Sequence, residues 1–193
     1  HQIRRLPVVD EDGLLLGIVS DRDVKAAQPS KATSLEVHEV YYLLAEIKVK
    51  DIMSKEPLTV APTHTVEHAA SIMQEHHIGG LPVVEDGRVV GIITESDVFK
   101  VLFEITGVRH GGVQLGFNIS HQEGALQAIL EDLKRLSARI VSIQTLYGGG
   151  EEDRRVYVRI FPMDRGVEDR LVEELKAKFD MLYWARDNVH PLV

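Results

Sequence analysis

The sequence of 193 residues contains no cysteine. This absence excludes disulfide bonds, thiol catalysis and cysteine-ligated zinc, and it fits a cytoplasmic location. Long apolar runs are also missing, because the most apolar stretch, Leu14–Val19, is far too short to cross a bilayer. No secretory signal opens the chain. We therefore expect no membrane partner.

Basic residues are too few to predict a nucleic-acid surface. The formal net charge is -8, from 22 Lys and Arg against 30 Asp and Glu. A phosphate backbone would be repelled unless basic residues clustered, and the pairs Arg4–Arg5 and Arg154–Arg155 are isolated. We expect a globular protein with no nucleic-acid partner, since 44% of the residues are hydrophobic.

Motifs of common enzyme classes are missing as well. The sequence has no Gly-x-Ser-x-Gly elbow, Walker loop, Gly-x-Gly-x-x-Gly segment or His-Glu-x-x-His pair. Gly148–Gly150 resembles a phosphate loop in composition only, because a strand is expected after it instead of an anion-binding helix. We predict a hairpin tip there, no catalytic residue, no metal site and no obligatory cofactor.

An internal repeat organises the first half. The first copy contains Leu6–Val9, Asp12–Gly13, Gly17–Ser20 and Asp23–Val24, and the second contains Leu81–Val84, Asp86–Gly87, Gly91–Thr94 and Asp97–Val98. Each copy predicts a β-hairpin with an Asp-Gly turn. Each hairpin then runs into Ser/Thr-x-x-Asp, which is a helix-start signal.

The second copy has an opening segment that the first lacks. Leu58–Val60 predicts a short strand, and Thr65 is expected to cap a helix that runs to about His77. The chain starts at His1 and reaches the core-type run Leu6–Val9 at once, so we expect the natural protein to begin earlier. Between the copies, a capping box at Thr33–Glu36 predicts a helix to about Ala45.

The second half has a different pattern. Strands are predicted at 113–119, 139–147, 156–160 and 181–185, and helices at 125–136 and 167–179. This order, βαββαβ, predicts a small ferredoxin-like sheet with helices on one face. The fold class is therefore α/β (α+β).

The repeated motifs resemble a tandem pair of CBS domains, a Bateman module, over residues 1–107. They are Ile-x-x-Leu-Pro-Val-Val, the Asp-Gly hairpin and Gly-Ile-Ile/Val-Ser/Thr-x-x-Asp. The second half is similar to an ACT domain, and the combination resembles the AcuB-type acetoin-utilisation proteins of bacteria. We expect a first CBS module with linker helix at 1–46, incomplete at its N-terminus, a second at 47–107 and an ACT-like domain at 108–193.

The resemblance implies a regulatory protein, not an enzyme, that binds AMP, ADP, ATP or S-adenosylmethionine. Asp23 and Asp97 lie in the first turn of their helices, where a carboxylate can accept from both ribose hydroxyls. Ser20 and Thr94 stand beside the helix N-termini, which favour phosphate. The base is expected against Leu58, Thr59, Val60, Ile78, Leu81 and Pro82.

The resemblance assigns further residues to the first site: Ile3, Leu6, Pro7 and Arg22. Arg22 would pair with phosphate, and because the second copy has Ser96 at that place, we expect unequal sites. The ACT resemblance suggests an amino acid or other small effector near His121, Gly124 and Ala125.

Two alternatives stay open. His64 and His68 are four residues apart and could share a helix face as metal ligands of an enzyme, or they are solvated helix residues. Apolar helix faces at Tyr41–Leu44 or Phe99–Phe103 could make the chain a ligand-free dimerisation module, or they are core. A homodimer and an unidentified regulated target are the expected protein partners.

Overall fold

The computed structural model of the chain describes residues 3–28, 39, 42, 45–119, 124–148 and 154–186. It forms two compact units, His1–Phe99 and Lys100–Val193. The division lies inside one helix, Glu95–Thr106.

The first copy of the repeat is an antiparallel hairpin followed by a short helix. Strand β1 (Arg5–Val9) pairs with β2 (Leu15–Ser20), and helix α1 (Asp21–Ala26) follows directly. Later in the chain, α2 (Val49–Ile52) leads into β3 (Ser54–Lys55), which adds a third strand beside β2. The predicted hairpin and helix start are thus confirmed.

The second copy repeats this arrangement with its opening helix present. Its elements are α3 (Val66–Glu75), β4 (Gly80–Glu85), β5 (Arg88–Thr94) and α4 (Glu95–Thr106). Asp86 and Gly87 have φ values of 49° and 79°, as a tight two-residue hairpin turn requires. The strand predicted at Leu58–Val60 is wrong in extent: only Val60 forms a β-bridge, with Val83. Prolines at 57 and 62 flank this segment and limit ladder pairing.

The same repeat position has opposite environments in the two copies. Leu81 is completely buried, in a core with Val60, Ala69 and Met73. Its counterpart Leu6 is 54% exposed. Leu81 is covered by α3, which contributes Ala69 and Met73 to the second core.

The tips of the two hairpins pair with each other. Leu15 donates its backbone N–H to the Gly87 carbonyl at 3.3 Å, and Val89 donates to the Gly13 carbonyl at 3.1 Å. The two copies are therefore joined by reciprocal backbone hydrogen bonds at their turns.

The second unit is a four-stranded antiparallel sheet with two helices packed against it. Its elements are β6 (Val113–Ile119), α5 (Ala125–Arg135), β7 (Ile140–Tyr147), β8 (Arg154–Ile160), α6 (Arg165–Lys178) and β9 (Met181–Arg186). The strand order is β7-β8-β6-β9. This confirms the predicted βαββαβ order. Alternate residues of β6 and β8 form one core with the apolar faces of both helices.

Some predicted features lie outside the described residues. Of the linker helix expected from Thr33–Glu36 to Ala45, residues 39, 42 and 45 are helical, while its predicted capping box is not described. Most of the glycine-rich turn after Tyr147 is likewise not described. Within the described part of the chain, no helix combines the length and apolar character needed to cross a membrane.

Candidate functional site

The two helix starts have the same hydrogen-bond geometry. At α1, one oxygen of Asp23, Oδ2, accepts from the backbone N and from Oγ of Ser20, both at 2.7 Å. At α4, Asp97 Oδ2 accepts from the backbone N of Thr94 at 3.0 Å and from its hydroxyl at 2.6 Å. Each Ser/Thr–Asp pair thus closes the first turn of its helix.

A cavity of about 250 Å³ adjoins one of these helix starts. Five of the predicted site residues line it: Ser20, Arg22, Asp23, Leu58 and Ile78. Sequence reasoning missed the other lining residues, which are Arg5, Ile18, Asp21, Ser54, Pro57, His77, Gly79 and Gly80. The cavity combines residues of both copies, since the predicted residues at 20–23 belong to the first and Leu58 and Ile78 to the second.

Arg5 bridges the two copies at this cavity. Its side chain leaves β1 and donates a hydrogen bond from Nη1 to the carbonyl oxygen of Gly79. A Cβ atom on Gly79 would lie 2.5 Å from Arg5 Nη2 and 2.7 Å from Glu95 Oε2. A side chain at position 79 would therefore displace the ends of the Arg5 and Glu95 side chains from these positions.

The charged side chains around the cavity differ in how far their hydrogen-bonding atoms are already paired. Asp21 pairs with Lys25 at 3.1 Å, and this hydrogen bond holds the pKa of the Asp21 carboxyl below its usual value. Arg22 is exposed. Asp23 uses Oδ2 for the helix start, and among the described residues its Oδ1 has no hydrogen-bond partner. One carboxylate oxygen of Asp23 and the Arg22 guanidinium are thus available to a ligand, whereas Arg5 already donates one hydrogen bond to the Gly79 carbonyl.

The remaining predicted site residues lie outside this cavity. Ile3 and Leu6 are exposed, and Pro7 also does not line it. Successive side chains of a strand point to opposite faces, so β1 cannot direct both Arg5 and Leu6 to the same side. Val60 and Leu81 are buried in the core of the second copy. Thr59, Pro82, Thr94 and Asp97 are not among the lining residues.

In the second unit, Gly124 has φ 85° and stands directly before α5. Ala125 packs against the core of that unit. His121 lies outside the described residues. The described contacts therefore neither support nor contradict an effector site at these positions.

The histidine pair proposed as metal ligands is close in space. The rings of His64 and His68 are 4.7 Å apart, and Nδ1 of His64 accepts a hydrogen bond from the Ala61 backbone at 3.3 Å. The part of the chain that the structure describes contains no group of three or more His, Asp or Glu side chains placed to hold a metal ion.

Comparison with known proteins identifies the family to which the repeat belongs. Residues 1–30 and 49–104 match the family described as CBS domain. A CBS domain-containing protein of Dictyostelium discoideum is 38% identical over 106 residues, which make up 54% of this chain and 73% of that relative. The chain belongs to the CBS domain family. Its first half is a tandem CBS pair, and the family match ends at residue 104.

Other CBS proteins are similar to the same half of the chain. Inosine-5′-monophosphate dehydrogenase of Staphylococcus epidermidis is 36% identical over 105 residues, 53% of this chain but only 18% of that enzyme. A solved CBS domain pair in complex with 5′-methylthioadenosine and S-adenosyl-L-methionine is 32% identical, with a TM-score of 0.40 and coverage of 53% and 72%. A structure of an acetoin utilization protein (AcuB) from Vibrio cholerae is 37% identical, with a TM-score of 0.45 and coverage of 55% and 72%.

Proposed function

We propose that this chain is a regulatory sensor, not an enzyme, and that its CBS pair binds an adenine nucleotide between the modules. The observation that carries the proposal is the cavity in which Asp23, two arginines and an apolar wall surround one space. These are the groups that a ribose, a phosphate and a base require. No catalytic residue is part of the proposal.

Each part of the nucleotide has a proposed partner. Asp23 Oδ1 accepts from the ribose hydroxyls, in charge-assisted hydrogen bonds that are stronger than neutral ones. The base packs against Ile18, Leu58 and Ile78. Arg22 binds phosphate, because α1 is only six residues long and its own N-terminus contributes little field.

The size of the cavity favours a small ligand. Its volume of about 250 Å³ lies just below the range of roughly 300–1,000 Å³ that is typical of ligand pockets. A single mononucleotide that reaches partly into solvent fits this size better than a dinucleotide does. We propose AMP, ADP, ATP or S-adenosylmethionine as the ligand, and AMP as the first compound to measure.

Regulation would follow from the position of the cavity. Asp23 and Arg22 belong to the first CBS module, whereas Leu58 and Ile78 belong to the second. A ligand that contacts both groups binds best to one relative arrangement of the modules, and it therefore shifts the population toward that arrangement. An unidentified target protein would respond to this shift.

The test compares two aspartates with the same local role. Asp23→Asn and Asp97→Asn both keep an oxygen that can accept from the preceding Ser or Thr, but only Asp23 lines the cavity. We expect Asp23→Asn to weaken AMP binding at this cavity by at least about tenfold, because a hydrogen bond to a charged acceptor is lost. Isothermal titration calorimetry measures this affinity and the number of sites.

Asp97→Asn is the matched control. It is expected to change the stability of its helix start about as much as Asp23→Asn does, while AMP binding at the cavity stays unchanged. Unaltered AMP affinity in Asp23→Asn, or an equal loss in both variants, would contradict the proposed ribose contact.

The second unit is proposed as an ACT-like effector domain. Its βαββαβ order and the left-handed Gly124 before α5 support this assignment. The proposed ligand is an amino acid or another small effector near the Gly124 loop.

A second candidate function is assembly, because α4 exposes an apolar series. Phe99, Leu102, Phe103 and Ile105 are all exposed on this helix. Such side chains favour a protein partner, and we propose a second copy of the chain. Light scattering coupled to size-exclusion chromatography checks this alternative. A dimer that binds no adenine nucleotide at millimolar concentration would favour assembly over sensing.

A further inference from the structure

The helix that precedes the second hairpin ends in a histidine with positive φ. After α3, the N–H of Ile78 donates to the Met73 carbonyl at 3.0 Å, and the N–H of His77 donates to the Gln74 carbonyl at 3.4 Å. This pair of hydrogen bonds defines a Schellman motif, in which the residue at the His77 position adopts a left-handed conformation. His77 has φ 54°, as the motif requires.

Glycine is the preferred residue at this position. It has no Cβ and adopts positive φ without steric cost, whereas a histidine there is strained. Strained residues concentrate at functional sites, where another interaction compensates for the cost. His77 lines the cavity of the CBS pair, so that a compensating interaction with a ligand is available to it.

We propose that His77 is a specificity-determining residue that donates a hydrogen bond to the phosphate of an adenine nucleotide. This inference rests on the proposed function and narrows its ligand class. The imidazole would act together with Arg5 and Arg22, which line the same cavity. The cavity therefore prefers AMP to uncharged adenosine, which shares the base and the ribose.

The arginine and aspartate side chains that line the cavity come from two elements. Arg5 belongs to β1, and Asp21, Arg22 and Asp23 belong to the start of α1. His77, at the end of α3, adds a hydrogen-bond donor on the side of the cavity that belongs to the second copy.

The experiment measures AMP and adenosine binding to the full chain by isothermal titration calorimetry. His77→Gly places the preferred residue at the left-handed position, so that folding is not put at risk. We expect this variant to lose AMP affinity by about tenfold, while adenosine affinity stays unchanged. Its thermal stability should equal or exceed that of the wild type.

Two further variants make the result specific. His77→Asn keeps a polar side chain that tolerates positive φ but lacks the imidazole, so it should lose AMP affinity and keep adenosine affinity, as His77→Gly does. His76→Ala is the control, because His76 is exposed and does not line the cavity. It should bind both compounds as the wild type does.

The outcomes separate this inference from the proposed function. If the wild type binds both compounds and His77→Gly binds them equally well, or loses both to the same extent, the phosphate contact is refuted while the nucleotide site stands. If the wild type binds neither compound, the proposed function fails and this inference fails with it.

Discussion

Asp23 has two carboxylate oxygens, and the start of α1 uses only one of them. Oδ2 accepts both Ser20 hydrogen bonds, whereas Oδ1 lies beside a cavity without a partner among the described residues. The same aspartate can therefore hold the helix start and bind a sugar at the same time. A helix cap and a ligand contact are therefore compatible roles for this carboxylate.

In the second unit, another aspartate makes the free energy of unfolding depend on pH. Asp132 of α5 is 7% exposed and accepts from Lys178 Nζ at 2.5 Å and from Arg135 Nε at 3.3 Å. The Lys178 ammonium holds the pKa of the Asp132 carboxyl below its usual value, although burial alone would raise it. The stability that this ion pair contributes is present above the unfolded-state pKa, near pH 4, and is lost as the pH falls through the lower folded-state pKa.

We therefore predict that Asp132→Asn is less stable than the wild type at pH 6 but loses less stability on acidification below pH 4. Urea unfolding curves from pH 6 to pH 2.5 measure both quantities. Glu131→Gln, on the exposed side of the same helix, should keep the acid sensitivity of the wild type. Parallel losses in the wild type and Asp132→Asn would show that this carboxylate does not control the acid transition.

The sequence predicted some cavity residues and missed others for identifiable reasons. Ser20, Asp23 and Ile78 follow from repeated local motifs, which determine local geometry. Arg5 was missed because its partner, Gly79, is distant in sequence and only the pairing of the two copies brings them together. His77 was missed because glycine is the usual sequence signal for a left-handed helix end.

At the scale of elements, the two copies of the repeat allow the effect of burial to be compared at equivalent positions. Leu81 is completely buried beneath α3, whereas Leu6 is 54% exposed. We predict that Leu81→Ala lowers the free energy of unfolding by about 2–5 kcal/mol, because it leaves a cavity in a packed core. Leu6→Ala should change it by less than about 0.5 kcal/mol.

Urea denaturation of both variants beside the wild type checks this difference. Similar losses at the two positions would mean that Leu6 is covered in solution, by further chain or by a second copy.

The elements that the sequence predicted well are those with strong local signals. Both hairpins of the CBS pair and all four strands of the second unit form at the expected places, because alternation and turn residues specify them locally. The strand at Leu58–Val60 was overestimated, because a short apolar run does not show how many of its backbone groups find a partner strand. That number depends on tertiary pairing and on the flanking prolines.

For the whole molecule, two separate cores predict two unfolding events. The core around Leu81 lies in the first unit, and the core around Phe117 lies in the second; they share no residue. We predict that AMP raises the temperature of only one calorimetric transition, since a ligand stabilises the unit that binds it. At a free AMP concentration one hundred times Kd, the stabilisation is about 2.7 kcal/mol.

Two variants assign the transitions in differential scanning calorimetry. Leu81→Ala should lower the same transition that AMP raises, and Asp23→Asn should lose the response to AMP. A shift of both transitions by AMP would show that the units unfold together.

The reciprocal pairing of the hairpin turns has a consequence for solubility. The end of a β-hairpin that carries unpaired amides and carbonyls can recruit a strand from another molecule, which is a common route to aggregation. Here Leu15 and Val89 donate to carbonyl groups of the opposite turn. Each module thus pairs backbone groups at the hairpin end of the other. Separating the two modules would leave these groups unpaired and open to association with another molecule.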